Sequence, residues 1–165
     1  MWPGNATRNH KETGVDVMNG SRADEPKLIF PGLAGFYGAV SDLWYPMIRI
    51  VAGVLLYVHV WPKFMHGPDG VAGGLGKAGF AAPMLFAYAA MFLESVGATC
   101  VALGLFTRFF AAALAIEMAC ITFGFMPPQG WARMEPTFLW GVIFFAIALR
   151  GGGPYSLDRL IGKEL

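Results

Sequence analysis

Four side chains that can carry charge lie inside long apolar stretches of the sequence: Arg49, His59, Glu94 and Glu117. An ionised group at the centre of a membrane helix costs about 2.5–3.5 kcal/mol, so such residues normally face the interior of a helix bundle and have partners. Either carboxyl group is therefore expected to be protonated or paired. The chemistry open to these groups is proton transfer, or hydrogen bonding to the polar head of a membrane-soluble molecule such as a quinone.

The stretch that contains His59 also supplies partners for the carboxyl groups. Helical spacing places His59, Lys63 and His66 on one face, at i, i+4 and i+7. Arg49 lies about 10 Å from the centre of this stretch, and its long side chain could reach a midplane carboxylate. Glu135 opens the fourth stretch on the side of Lys63. We therefore predict an intramembrane polar site made of six residues: Arg49, His59, Lys63, Glu94, Glu117 and Glu135.

Two interpretations of this set stay open. In the functional one, the set is a proton relay or holds a quinone headgroup, with His59 and a carboxyl group as donor and acceptor. In the structural one, buried ion pairs fix the register of the helices. The functional interpretation is favoured for His59, Glu94 and Glu117, whereas the structural one is favoured for Arg49, which lies near a span boundary.

The composition of the chain predicts which secondary-structure elements position these residues. Of the 165 residues, 56% are hydrophobic and 14% are charged, against about 25% charged in an average soluble domain. Four apolar segments are close to the roughly 20 residues that cross a bilayer as a helix: 46–66, 83–104, 108–126 and 135–150. No segment alternates with period two, which favours helices over a closed β-barrel. The sequence predicts an all-α integral membrane bundle of four helices over residues 46–165.

The chain before the first span has two parts. Residues 1–27 carry eight charges and few large apolar side chains, so we expect a polar cytoplasmic tail that is disordered alone or ordered by a partner. Residues 28–45 place aromatic and aliphatic side chains at helical spacing, as in a helix that lies in the membrane interface. A protein partner is expected to bind through the tail and this interfacial amphipathic helix.

Orientation follows from the basic residues, because loops rich in Lys and Arg stay on the cytoplasmic side. With both termini inside, nine Lys and Arg residues are cytoplasmic and three lie on the other side. Both termini are therefore predicted to be cytoplasmic. The glycine-rich segment 67–82 becomes an external loop, and its GGLGK run lacks the preceding strand of a phosphate-binding loop.

Several classes of ligand are not expected. The formal net charge of +1 gives no field that would attract nucleic acid. Cys100 and Cys120 have no metal-binding spacing and lie in apolar runs, so they are interpreted as small core residues. No metal, haem or flavin motif is visible. Electrons for any redox step would have to come from a partner or directly from a substrate.

Motifs spread over residues 45–162 resemble those of the DoxX family of small four-helix bacterial membrane proteins. The matching motifs are Arg49-x-x-x-Gly53, His59-x-x-x-Lys63, Glu94-x-x-Gly97, Leu103-Gly-Leu-Phe-Thr-Arg108 and Gly151-Gly-Gly-Pro-Tyr-Ser-Leu-Asp158. Glu135 resembles the acidic residue usual at the start of the fourth span. Trp61-Pro62 departs from the smaller residues of many relatives, and Glu117 is not assigned by the family pattern.

The resemblance implies a protein of the bacterial inner (plasma) membrane. The family takes its name from a subunit of a thiosulfate:quinone oxidoreductase, and some members are described in oxidoreductase complexes linked to redox defence. The leading hypothesis is therefore a membrane subunit of a redox complex that contacts quinone; if it is an enzyme, it is a quinone-linked oxidoreductase subunit. The main alternative is a non-catalytic structural subunit. A transporter or channel is a third interpretation, in which the pore requires an oligomer.

Overall fold

The computed structural model of the chain describes residues 29–163, so the predicted tail, 1–27, lies outside the described residues. The chain divides into two units, Met1–Val40 and Ser41–Leu165. In the first unit, a 3-10 turn, Pro31–Leu33, precedes the short helix α1, Ala34–Val40. The side chains of Phe36 and Tyr37 are exposed. The described part of the predicted interfacial segment thus contains a short helix with exposed aromatic residues.

The second unit is built from four long helices and two short ones. In chain order they are α2 (Trp44–His66), α3 (Asp69–Lys77), α4 (Pro83–Leu103), α5 (Thr107–Phe125), α6 (Trp131–Arg150) and α7 (Leu157–Ile161). Helices α2, α4, α5 and α6 are long and apolar enough to cross a membrane. Residues 29–163 contain no strand. The prediction of an all-α membrane bundle with four spans is confirmed.

Two helices differ from the sequence prediction. The fourth span begins at Trp131 rather than Glu135, because a polar first turn can lie at the membrane interface and need not be excluded from the helix. The predicted external loop contains α3, despite its glycines. Asp69 in the first turn and Lys77 in the last complement the helix dipole, and α3 packs against α4. These contacts offset the low helix propensity of glycine.

Helices α2 and α4 approach each other closely at Gly53. A Cβ atom at this position would lie 2.5 Å from the carbonyl oxygen of Ala98 and 2.8 Å from Cβ of Ala102. Small residues at such a crossing let two membrane helices pack through their backbones. On the other side of the bundle, α5 packs extensively against α6. The resulting core includes Leu56, Leu114 and Phe144, all almost fully buried.

Two of the spans contain a π-helical turn. In α4 the turn covers Leu93–Gly97, and in α5 it covers Ile121–Phe125. Such turns are rare in α-helices and are frequently found at functional sites. Glu94 lies in the first π turn, so the geometry of α4 is irregular at the residue that sequence analysis selected.

Candidate functional site

Lys63 and Glu94 form an ion pair between α2 and α4. The Lys63 ammonium group lies 2.6 Å from Oε1 of Glu94 and also contacts Oε2. The side chain of Glu94 is 2% exposed and that of Lys63 is 24% exposed. The carboxylate is therefore enclosed by the bundle, while the cation reaches it from a partly open side.

Glu117 on α5 is the third member of this group. It interacts electrostatically with both Glu94 and Lys63. Its Oε2 atom is buried and has no hydrogen-bond partner among the described residues. We call Lys63, Glu94 and Glu117 the polar cluster. With one cation and two carboxyl groups, the polar cluster is electrically neutral only when one carboxyl group holds a proton.

The second π turn begins four residues, about one helical turn, after Glu117. The backbone N–H of Ile121, which opens this turn, donates to the carbonyl of Glu117. The hydroxyl of Thr122 in the same turn is fully buried and has no partner among the described residues. Glu94 thus lies within a π turn, whereas Glu117 lies in regular α-helix one turn before the second one.

Three residues of the predicted site lie apart from the polar cluster: His59, Glu135 and Arg49. His59, one turn before Lys63 on α2, is exposed, and so is Glu135 on α6. Neither side chain makes a hydrogen bond or an ion pair within residues 29–163. The continuous polar line expected from sequence is therefore reduced to Lys63, Glu94 and Glu117.

Arg49 has different partners from those expected. Its guanidinium group donates hydrogen bonds to the carbonyl of Gly152 and, at 2.8 Å, to that of Tyr155. Arg49 is 1% exposed and bonds to the backbone after α6, so the expected reach to a midplane carboxyl group is wrong. The contact requires Gly104, with φ of +72°, because a Cβ atom there would lie 2.6 Å from Nη1 of Arg49. The favoured structural interpretation of Arg49 agrees with this geometry.

The sequence did not predict that the carboxylate of Asp158 is buried and caps a helix. Its carboxylate accepts hydrogen bonds from the backbone N–H groups of Phe106 and Thr107, at 2.7 and 2.9 Å, and from the Thr107 hydroxyl at 2.6 Å. Its own N–H donates to the carbonyl of Gly104 at 2.8 Å. Asp158 thereby satisfies the first donors of α5, the role of a helix cap.

We call Arg49, Asp158 and the backbone groups that they bind the Arg49–Asp158 network. Tyr45 extends it, because its hydroxyl donates to the carbonyl of Gly151. Gly153 has φ of +66°, and a Cβ atom there would lie 2.7 Å from the ring of Tyr45. The signal for this network in the sequence is the glycine run before Asp158, since such a run allows backbone to approach side chains closely.

The two groups of polar residues therefore differ in what they can do. In the Arg49–Asp158 network, charged side chains bind backbone groups and join α2, α5 and the segment after α6. The polar cluster instead contains a buried carboxyl oxygen without a partner in the described chain. The Arg49–Asp158 network also has one buried atom without a partner, Nε of Arg49, but a guanidinium group stays protonated. Of these two groups within residues 29–163, the polar cluster is therefore the one that can exchange a proton.

The four spans with an intramembrane polar cluster define a small multi-pass membrane protein. A sequence model of the DoxX family matches residues 46–127. An uncharacterized protein of Haemophilus influenzae is 32% identical over 125 residues, which cover 71% of this chain and 90% of that protein. The chain belongs to the DoxX family. No solved structure matches it.

Proposed function

We propose that this DoxX-family protein is an integral membrane subunit of a redox-linked complex in the bacterial plasma membrane, and that its polar cluster interacts with quinone. Its tail and interfacial segment bind a protein partner that supplies electrons. The excess of basic residues on the side that holds the chain ends, nine against three, supports cytoplasmic termini. We therefore expect the partner on the cytoplasmic side.

One observation carries this proposal: the buried and unpartnered Oε2 atom of Glu117 beside the Lys63–Glu94 ion pair. Polar groups in the membrane interior are costly, so an incomplete set of hydrogen bonds there indicates a missing ligand or proton. A structural ion pair needs only Lys63 and Glu94. The second carboxyl group adds a position that can hold and release one proton.

The residues of the polar cluster fit a quinone headgroup in their hydrogen-bonding capacity. A bound quinone would accept two electrons and two protons. A protonated Glu117 donates a hydrogen bond to a carbonyl oxygen, and a deprotonated one accepts a hydrogen bond from a hydroxyl. Lys63 holds a positive charge beside both carboxyl groups, so the cluster can lose a proton without leaving two uncompensated negative charges.

Quinone reduction by native membranes tests the role of Glu117. The variant Glu117→Gln keeps the size of the side chain and removes its exchangeable proton. We expect it to lower quinone reduction while leaving assembly of the complex intact, as measured by co-purification in mild detergent. Glu94→Gln should also lower reduction, with a loss of stability because Lys63 loses its partner.

Asp69→Asn is the matched control, because Asp69 is an exposed carboxylate on α3, outside the spans. Membranes that contain the Asp69→Asn variant should reduce quinone at the wild-type rate. Unchanged quinone reduction in Glu117→Gln membranes that contain the assembled complex would exclude the proposed site.

The alternative is a non-catalytic assembly subunit, which the Arg49–Asp158 network favours because its charged groups bind backbone and fix helix packing. In that case, substitutions in the polar cluster change stability and leave turnover per assembled complex unchanged. Deletion of residues 1–27 tests whether the tail binds the partner. If the variant no longer co-purifies with the complex, while the complex that remains keeps its turnover, the protein has an assembly role and no catalytic one.

A further inference from the structure

An apolar groove runs along the outer surface between α5 and α6. Its volume is about 570 Å³, within the range of ligand-binding clefts. Alanine and glycine form much of its lining, together with three phenylalanine side chains; its residues include Ala112, Ala119, Phe123, Gly141 and Phe145. The groove opens towards the medium around the bundle. In a membrane protein that medium is lipid, so the groove is shaped for a hydrocarbon chain.

The length of the groove matches one leaflet. It extends along α5 from Arg108 to Phe123, which is about 22 Å at 1.5 Å per residue. One leaflet of a bilayer, with its headgroups, is about 20–22 Å thick. A phospholipid with its headgroup at Arg108 can therefore place an acyl chain along the whole groove.

Arg108 is fixed at the headgroup end. Its guanidinium group donates to the carbonyls of Leu149 at 2.8 Å and of Ala148 and Arg150 at 3.3 Å, at the end of α6. The guanidinium of Arg150 lies 4.7 Å from the ring centre of Trp44. Arg108 is thus held in place at one end of the groove, while Arg150, which does not line the groove, is held against Trp44 at the same end of the bundle.

The charges at the two ends of the bundle differ. The described residues at the Arg108 end include four exposed cations, Arg108, Arg150, Arg159 and Lys163, against the acids Asp42 and Asp158. The carboxylate of Asp158 is already bonded to the start of α5. At the opposite end, Lys77 and Arg133 are balanced by Asp69 and Glu135. Positive charge beside an apolar groove favours a lipid with an anionic headgroup.

We propose that the α5–α6 groove is a binding site for one anionic phospholipid, with its phosphate at Arg108 and an acyl chain between Ala112 and Phe123. The site is separate from the polar cluster and does not depend on the proposed redox function. Lipid binding here would fill the gap on the outer side of α5 and α6 and hold the two helices together.

Native mass spectrometry of the full chain, released from detergent, tests the site. Phosphatidylglycerol and phosphatidylcholine with identical acyl chains are titrated separately. We expect one phosphatidylglycerol to be retained at least about fivefold more tightly, as is typical of one basic contact at a membrane surface. Ala112→Phe fills the groove next to Arg108 and should abolish this preference, and Arg108→Gln should reduce it.

Ala146→Phe is the matched control, because Ala146 is exposed on α6 and does not line the groove. It should retain phosphatidylglycerol like the wild type. Equal retention of the two lipids by the wild type overturns the proposal, as does wild-type retention by Ala112→Phe. If Ala112→Phe instead converts a dimer into a monomer without changing lipid retention, the occupant is a second copy and the lipid proposal is wrong. If Ala112→Phe does not fold, Ala119→Leu, which also fills the groove, is used in its place.

Discussion

Oδ2 of Asp158 accepts hydrogen bonds from both the backbone N–H and the side-chain hydroxyl of Thr107, at 2.9 and 2.6 Å. The cap of helix α5 is thus supplied by a residue 51 positions further along the chain. Most helix caps are local, and their loss affects one helix. Here the same carboxylate also holds α7 against the start of α5, so the two elements should lose stability together.

Removal of the Asp158 carboxylate should destabilise the bundle more than removal of the Thr107 hydroxyl. Asp158→Ala leaves the N–H donors of Phe106 and Thr107, the latter buried, without their acceptor, and we expect a loss of about 2–3 kcal/mol in the free energy of unfolding. Thr107→Val removes one hydrogen bond and should cost about 1 kcal/mol. Unfolding in mixed micelles measures both values; equal effects would contradict the role of Asp158 as a cap.

Substitution of Arg49 should release the segment after α6. Arg49→Met leaves the carbonyls of Gly152 and Tyr155 without their donor. Hydrogen exchange in residues 151–158 should therefore increase while exchange in the centre of α4 is little changed. Arg49→Lys should give an intermediate result, because an ammonium group lacks the planar fork that bonds both carbonyls. Arg133→Met, at an exposed position in α6, serves as the control and should leave exchange in this segment unchanged.

A double-mutant cycle should detect the coupling between Lys63 and Glu94. Breaking a buried ion pair from one side typically costs about 3–5 kcal/mol, because the remaining charge has no partner. Lys63→Met and Glu94→Gln should each destabilise the protein, and the double variant should be more stable than the sum of the two losses predicts. Thermal unfolding in detergent gives the three values. Additive losses would show that the two groups do not interact, and Glu135→Gln should cause no comparable loss.

Gly53 should not tolerate a methyl group. A Cβ atom would lie 2.5 Å from the Ala98 carbonyl oxygen, which is backbone and can move only with α4. We expect Gly53→Ala to cost about 1–3 kcal/mol, the usual range for overpacking. Gly70→Ala is the matched control, since no atom lies within 4 Å of its Cβ position in α3. This control should be neutral or stabilising, because alanine favours helix; if both variants behave alike, close packing at Gly53 is not important.

The spans could be predicted because a bilayer imposes a length and an apolar composition on every helix that crosses it. The ends of the spans were less well defined by that criterion. The helix α6 begins at Trp131, four residues before the predicted start, since the first turn carries Arg133 and Glu135 and is not apolar. The same criterion says nothing about the π turn that contains Glu94, because hydrophobicity does not report backbone hydrogen bonding.

The candidate site could be predicted only as a set of unusual residues. Charge inside an apolar stretch identified Glu94, Glu117 and Arg49, yet it did not identify the partners of Arg49. Lys63 and Glu94, which form a salt bridge, can both be recognised in the sequence as charged residues. The acceptors of Arg49 are backbone carbonyls, which every residue possesses and no sequence pattern distinguishes. His59 was included because it shares a helix face with Lys63. In the structure its side chain is exposed and does not contact the polar cluster, so a shared face is not sufficient to predict a shared site.

The long sequence separation of Arg49 from its acceptors has a consequence for biogenesis. The acceptor carbonyl of Gly152 lies 103 residues after Arg49, and all four spans must be synthesised before it leaves the ribosome. During that interval the first span carries an arginine whose final partners do not yet exist. Chains that end at Arg150 would keep every span but never complete this contact. Quality control in the membrane could therefore distinguish finished from truncated copies by the state of a single guanidinium group.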